Sequence, residues 1–181
     1  MRQLPGTVIE TTDNNCRQII DSLFAGGGIV LSQVCTITGL ETHMVQNWVK
    51  RKFVSSPIDK KYSKRQFCRI ILINALKDTL PLNAVADLIS YINGKLDLES
   101  DDSIDDSELY FYFTDLAFSA HENLSETAEA VKKITDNYKE PVPGASKKIE
   151  QVLFVMLGAY LSAEYRKKSL IVMESILNYK I

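Results

Sequence analysis

Residues 31–54 read LSQVCTITGLETHMVQNWVKRKFV, and the fold turns on this stretch. Two short helical runs flank Gly39. In the first, Ser32 stands where a cap belongs, and Val34, Cys35 and Ile37 follow. The second is predicted over Glu41 to Lys52, with Val45, Trp48 and Val49 as its buried side. His43, Gln46, Asn47 and Lys50 fall at i, i+3, i+4 and i+7, which places them on one other face. Thr42 flanks that face near the N-terminus. Two helices joined by a glycine-containing turn, the second polar on its outer side, describe a helix-turn-helix. Such a second helix docks on its scaffold with one side and offers donors to base edges with the other. Asn and Gln amides pair in bidentate fashion with adenine. Lys50, Arg51 and Lys52 at the helix end suit phosphates.

Downstream, two serines, Pro57 and the lysines Lys60 and Lys61 fall between Phe53 and Tyr62, which reads as an irregular loop or a short hairpin. Ser63 is a plausible cap for the next helix. Its positions Phe67, Ile70, Ile71, Ile73, Asn74 and Leu76 cover more than one face, so this helix is expected at the centre. Thr79 and Pro81 start another, filled by Leu82, Val85, Leu88, Ile89 and Ile92 and stopped at Asn93-Gly94. Upstream, residues 11–24 read as a short helix with Ile19, Ile20, Leu23 and Phe24 on its apolar face. Gly26, Gly27 and Gly28 then break the chain. No Lys-Ser or Lys-Thr follows them, so a linker or helix stop fits better than a phosphate cradle.

Beyond Gly94 comes DLESDDSIDDSE, residues 97–108. Asp105 with Glu108 fits a capping box for a helix to about Ala120. A further helix is expected from Ser125 to near Tyr138. Pro141, Pro143 and Gly144 make a linker. The pattern then stays helical from Ala145 or Ser146 to Tyr179, about 50 Å if unbroken. Arg166-Lys167-Lys168 is the expected place for a break. The chain therefore reads as all-α, a winged helix-turn-helix followed by a C-terminal helical bundle with a long last helix. Three stretches are expected: an N-terminal helix and Gly-rich linker (1–28), the helix-turn-helix domain (29–94) and a C-terminal helical region (95–181).

Composition narrows the function. With 181 residues, 45% hydrophobic and 24% charged, the chain can bury a core without disulfides or a structural metal. Its net charge of −2 argues against a nucleic-acid partner only if the charge is evenly spread. Residues 41–78 carry +6 and residues 79–140 carry −10. Such asymmetry hints at nucleic-acid contact or a regulated surface. The cysteines Cys16, Cys35 and Cys68 are odd in number and form no CxxC pair. No hydrophobic signal core opens the chain. Val152 to Ala163, the longest strongly apolar stretch, falls short of the ~20 residues that span a bilayer. A reduced, soluble, cytoplasmic protein with no membrane partner is expected.

His43 and His121 are the two histidines, and no Ser-His-Asp or Cys-His arrangement has supporting local sequence. An enzyme, a cofactor and a metal are therefore not expected. The acidic stretch from Asp97 to Glu108 has the ligand spacing of a calcium-binding helix-loop-helix, with Asp102 where the glycine belongs. A solvated connector explains the same residues. The run Tyr110, Phe111, Tyr112, Phe113 wraps around its helix and fits burial between layers better than a ligand pocket.

LSQVCTITGLETHMVQNWVKRKFV resembles the opening helix-turn-helix of MerR-type regulators. KKYSKRQFCRIILINALKDTLPLNAVADLI, residues 60–89, is similar to that fold's wing tyrosine and serine, its central helix and the helix after it. The resemblance runs from Leu31 to about Asn93. It departs at Gln46, where an arginine is usual, at Asn47, where an aromatic is usual, and at Lys60, which stands for the wing arginine. The whole chain also resembles a bacterial family, domain of unknown function 1836, through QNWVKRKFV (46–54) and LISYINGKLDLESDDSIDDSELYFYF (88–113). The MerR-like resemblance implies a DNA-binding transcriptional regulator with helix 41–52 in the major groove of double-stranded DNA. Lys60, Lys61, Tyr62, Lys64 and Arg65 would grip phosphates. A homodimer is expected, because one helix-turn-helix reads a short half-site, and the C-terminal part would serve dimerisation or a small-molecule or protein effector. The alternative is a helical protein-interaction module whose degenerate helix-turn-helix does not bind DNA.

Overall fold

The computed structural model describes residues 2–93, 103–119 and 126–177. In chain order the elements are β1 (Arg2–Gln3), β2 (Glu10–Thr11), α1 (Cys16–Leu23), β3 (Ile29–Val30), α2 (Leu31–Thr38), α3 (Thr42–Lys50), β4 (Lys61–Tyr62), α4 (Lys64–Leu76), α5 (Leu82–Asn93), α6 (Asp106–Ser119), α7 (Thr127–Thr135) and α8 (Ala145–Leu177). The chain is mostly helical. The strands make two antiparallel pairs, β1 with β2 and β3 with β4. Among the described residues no helix is long and apolar enough to cross a membrane.

α4 is the pillar, as its many-sided apolar pattern predicts. Ser63 Oγ accepts from the Gln66 backbone N–H at 3.2 Å, and Gln66 Oε1 accepts from the Ser63 N–H at 2.9 Å. This reciprocal cap satisfies two orphan donors at the helix start. Phe67, Cys68, Ile70, Ile71, Leu72, Ile73 and Leu76 are all fully buried. Helices α2, α5, α6 and α8 pack around them. One cluster of buried side chains joins Ile20 of α1, Val45 and Trp48 of α3, Phe113 of α6 and Leu153 of α8. It draws on residues from 1–28, 29–94 and 95–181 alike.

The N-terminal turn is clamped onto this pillar. Gly6 has φ +73°, and a Cβ there would lie 1.9 Å from the Ile71 carbonyl oxygen, so only glycine fits. Asn74 Nδ2 donates to the Gly6 and Thr38 carbonyls at 2.9 and 3.0 Å, tying the turn and the end of α2 to α4. The buried Tyr110 hydroxyl donates to the Pro5 carbonyl at 2.9 Å.

Several expectations are corrected. The first helix starts at Cys16 rather than residue 11, because Glu10–Thr11 pairs as β2 and the Thr11 hydroxyl joins the following turn through Asp13 and Asn15. α2 is capped at Val30, whose N–H donates to Gln33 Oε1 at 3.0 Å, and not at Ser32. α3 stops at Lys50, two residues early, because Lys52 takes φ +58° and closes a Schellman turn: Phe53 N–H to Trp48 O at 2.9 Å and Lys52 N–H to Val49 O at 3.0 Å. The start of α6 is not a capping box. Asp105 accepts from the Ser107 N–H at 2.8 Å, but Glu108 reaches out to Arg17 instead of closing the reciprocal bond. α8 runs unbroken through Arg166-Lys167-Lys168. The first half of the calcium-like spacing, Asp97 to Asp102, lies outside the described residues, as do His121 and Ser125.

Candidate nucleic-acid interface

The polar face expected on α3 is present. Gly39 turns the chain at φ +70° between α2 and α3, and its N–H donates to the Cys35 carbonyl at 2.9 Å. Val45 and Trp48 are buried, and Val49 is half-buried, so the helix is fixed on one side. Thr42, His43, Gln46, Asn47 and Lys50 are exposed on the other. His43 Nδ1 lies 3.1 Å from Glu41 Oε2 at the helix start. Near that start, Cys35 Sγ and Thr42 Oγ1 are 3.8 Å apart across the α2–α3 turn.

The loop after α3 resolves as a short hairpin. Ile58 and Lys61 exchange both backbone hydrogen bonds, 3.1 and 2.8 Å, around a two-residue turn at Asp59 and Lys60. Both turn residues have positive φ, 48° and 62°. That is the pattern of a type I′ hairpin, which glycine and asparagine favour and lysine does not. β4 continues the hairpin and pairs with β3 in the register Ile29↔Tyr62 and Val30↔Lys61. Gly28 allows this approach, since a Cβ there would lie 2.9 Å from both Lys61 Cβ and the Tyr62 carbonyl oxygen. At the hairpin base, Gln66 Nε2 donates to the Ser55 hydroxyl at 3.0 Å and the Ser56 carbonyl at 2.8 Å. The helix that holds the core therefore also fixes the hairpin.

Between α3 and the hairpin lies an open groove of about 570 Å³. Gln46 and Val49 line it from one side, Pro57 and Lys60 from the other, and Val30, Leu31 and Ser32 close its end. Lys60 and Lys61 are exposed, and so is Lys50 at the end of α3. Arg51 is exposed but held: its Nη2 donates to Asn83 Oδ1 at 2.6 Å, and its guanidinium stands 4.4 Å over the Phe53 ring. Tyr62 is buried, with its ring in the groove wall, and burial pushes its hydroxyl pKa up. It shapes the hairpin and does not present its hydroxyl at the surface.

Lys64 and Arg65 do not join this face. Lys64 Nζ lies 3.0 Å from Asp21 Oδ1 and 5.8 Å from the centre of the Phe111 ring. Arg65 is mostly buried, its Nε 3.6 Å from Asp106 Oδ2 and 3.9 Å from Asp105 Oδ2. Arg69 Nε lies 3.2 Å from the same Asp106 oxygen, and Asn93 Nδ2 donates to the other at 2.8 Å. Burial pushes the Asp106 carboxyl up, and Arg69 and Arg65 pull against that rise. Arg17 spans to Glu108 with a two-pronged contact of 2.6 and 2.8 Å and lies 4.2 Å over the Phe111 ring. Part of the basic block is thus spent on the acidic helix α6. The sequence pattern missed Gln66, Gly28 and Asp106 as positioning residues; the Ser63–Gln66 spacing was the one available signal.

A family model, domain of unknown function 1836, matches residues 11–113, more than half of the chain. The chain belongs to that family. The matched span runs from β2 to the middle of α6 and so contains α2, α3, the hairpin, α4 and the Asp106–Arg69 pair. No curated protein and no solved structure matches the chain. Among the described residues, no group of three His, Cys, Asp or Glu side chains is placed to hold a metal ion.

Proposed function

We propose that this chain is a DNA-binding regulator of helix-turn-helix type, with α3 entering the major groove and the 58–61 hairpin lying beside it as a wing. The observation that carries the reading is the shared groove: Gln46 of α3 and Lys60 of the hairpin turn face the same open space. Amide donors then sit where base edges would pass, and cations sit at the rim where phosphates would pass. Thr42, His43, Gln46 and Asn47 are the base-reading set, and Lys50, Lys60 and Lys61 the phosphate set. Arg51 contributes from its position on Phe53. One module covers a short half-site, so a homodimer is the working form.

The second reading, a protein-interaction module with a degenerate helix-turn-helix, has its own support. Lys64 and Arg65, two of the cations assigned to phosphates, are engaged with Asp21, Asp105 and Asp106. Selection of bound duplexes from random DNA by the whole chain separates the two. The DNA reading expects an enriched motif, lost in a Gln46→Ala, Asn47→Ala variant that keeps its stability. No enrichment at low salt supports the protein-interaction module instead.

A further inference from the structure

A second cavity, of about 290 Å³, lies between the N-terminal turn, the end of α4 and α8. Thr38 and Gly39, in the turn that leads into α3, form part of its wall. Asn74 stands where these parts join. Its amide gives both hydrogens to the Gly6 and Thr38 carbonyls, and no donor among the described residues reaches its Oδ1. Tyr160 lines the same space, its ring centre 5.5 Å from that of Phe113. Its hydroxyl has no hydrogen-bond partner among the described residues. Burial, with Glu164 beside it, pushes that hydroxyl up to about 12, so it stays a neutral donor at ordinary pH. The charges that line the cavity cancel: Lys77 and Lys167 against Asp78 and Glu164. Lys77 Nζ lies 3.1 Å from Asp78 Oδ1, and Lys167 Nζ lies 2.9 Å from Glu164 Oε1. In each pair one side chain is sheltered and the other stands at the rim. Lys77 is 24% exposed against 61% for Asp78, and Glu164 is 36% exposed against 60% for Lys167. The sheltered members have opposite signs and sit on different walls, a cation at the end of α4 and an anion on α8.

We propose that this cavity binds a small zwitterion, a free α-amino acid, with its carboxylate on Lys77 and its ammonium group on Glu164. Ion pairs with an exposed member are weak, so the ligand's two charges displace Asp78 and Lys167 at little cost. The Tyr160 hydroxyl and the Asn74 carbonyl oxygen supply one further donor and one further acceptor. Size and charge choose this class of ligand. Sites for drug-sized molecules run from ~300 to ~1,000 Å³, so a cavity of about 290 Å³ suits an amino acid better than a nucleotide. A polyanion would meet the carboxylates of Asp78 and Glu164. An apolar molecule would strand the polar groups of the wall without partners. The site stands without the DNA reading.

Isothermal titration calorimetry of the whole chain with each common free L-amino acid tests it. At least one binds, at one site per chain. Its N-acetyl and carboxamide forms, each lacking one charge, bind at least about tenfold more weakly. Lys77→Met and Glu164→Gln each cause a loss of the same size at an unchanged unfolding midpoint. Asp78→Asn and Lys167→Gln, at the rim, keep or tighten binding, because they release the sheltered charges. These two variants decide the matter even where an inner one fails to fold. No binding of any amino acid, equal binding of the N-acetyl form, or a loss in the rim variants equal to that in the inner ones overturns the proposal. So does binding of glucose or inorganic phosphate in place of an amino acid, which would make this a polyol or an anion site.

Discussion

Two groups of cations from one basic stretch end in opposite situations. Lys50, Lys60 and Lys61 stand exposed around the α3–hairpin groove. Arg65 and Arg69 are turned inward onto Asp106 and Asp105 of the α6 region. The first group is displayed at some conformational cost, since Lys60 and its neighbour Asp59 hold left-handed backbone that glycine would hold more easily. The second is consumed by the fold. Composition sees both as the same +6; only the partners tell a surface offered to a ligand from a brace between helices.

The comparison breaks most visibly at Asp106. Asp106→Ala takes away the carboxylate 3.2 Å from the buried Arg69 Nε, and loss of a buried partner of this kind costs about 3–5 kcal/mol. Urea unfolding should show that loss, while DNA affinity of the folded fraction stays the same. Lys60→Gly should do the reverse. It relieves the positive φ and raises stability by up to about 1 kcal/mol, while weakening DNA binding in an anisotropy titration. A stability loss with unchanged binding would make Lys60 a structural residue.

Arg17→Ala, at the brace between α1 and α6, should cost less than about 1 kcal/mol, because both side chains of that pair are about half exposed. A further effect is alkaline. Burial pushes the Cys16 thiol from 9.0 up to about 11. A raised folded-state value means the contribution is full below pH 9 and is lost as pH climbs towards 11. The urea midpoint should therefore fall across that window, and fall less steeply in Cys16→Ala.

Much of the front of the molecule was legible in the sequence. Spacing alone placed Thr42, His43, Gln46, Asn47 and Lys50 on one outward face, because a nine-residue helix with a buried Val45 and Trp48 has one orientation left. Ser63 and the central α4 were legible for similar local reasons. The inward turn of Arg65 was not, since it depends on Asp106 of α6, about forty residues on in the chain, and charge patterning has no range for that. The hairpin was half legible: its lysines and Pro57 marked a turn, but Asp59-Lys60 lacks the Asn-Gly that would announce a type I′ turn. The continuity of α8 is not legible in the sequence, because a basic triplet breaks a helix only where solvent or packing favours a break, and here its residues are simply exposed.

The central claim is that the outward cations serve DNA and the inward ones serve the fold. A salt titration of duplex binding tests it most directly, comparing the parent chain with Lys50→Ala, Lys60→Gly, Lys61→Ala and, separately, with Arg65→Gln. Log affinity should fall linearly with log salt, and the triple variant should lose about one unit of slope per phosphate contact removed, up to about three. Arg65→Gln should keep the parent slope. No binding at low salt, or a slope that the triple variant leaves unchanged, would contradict the account.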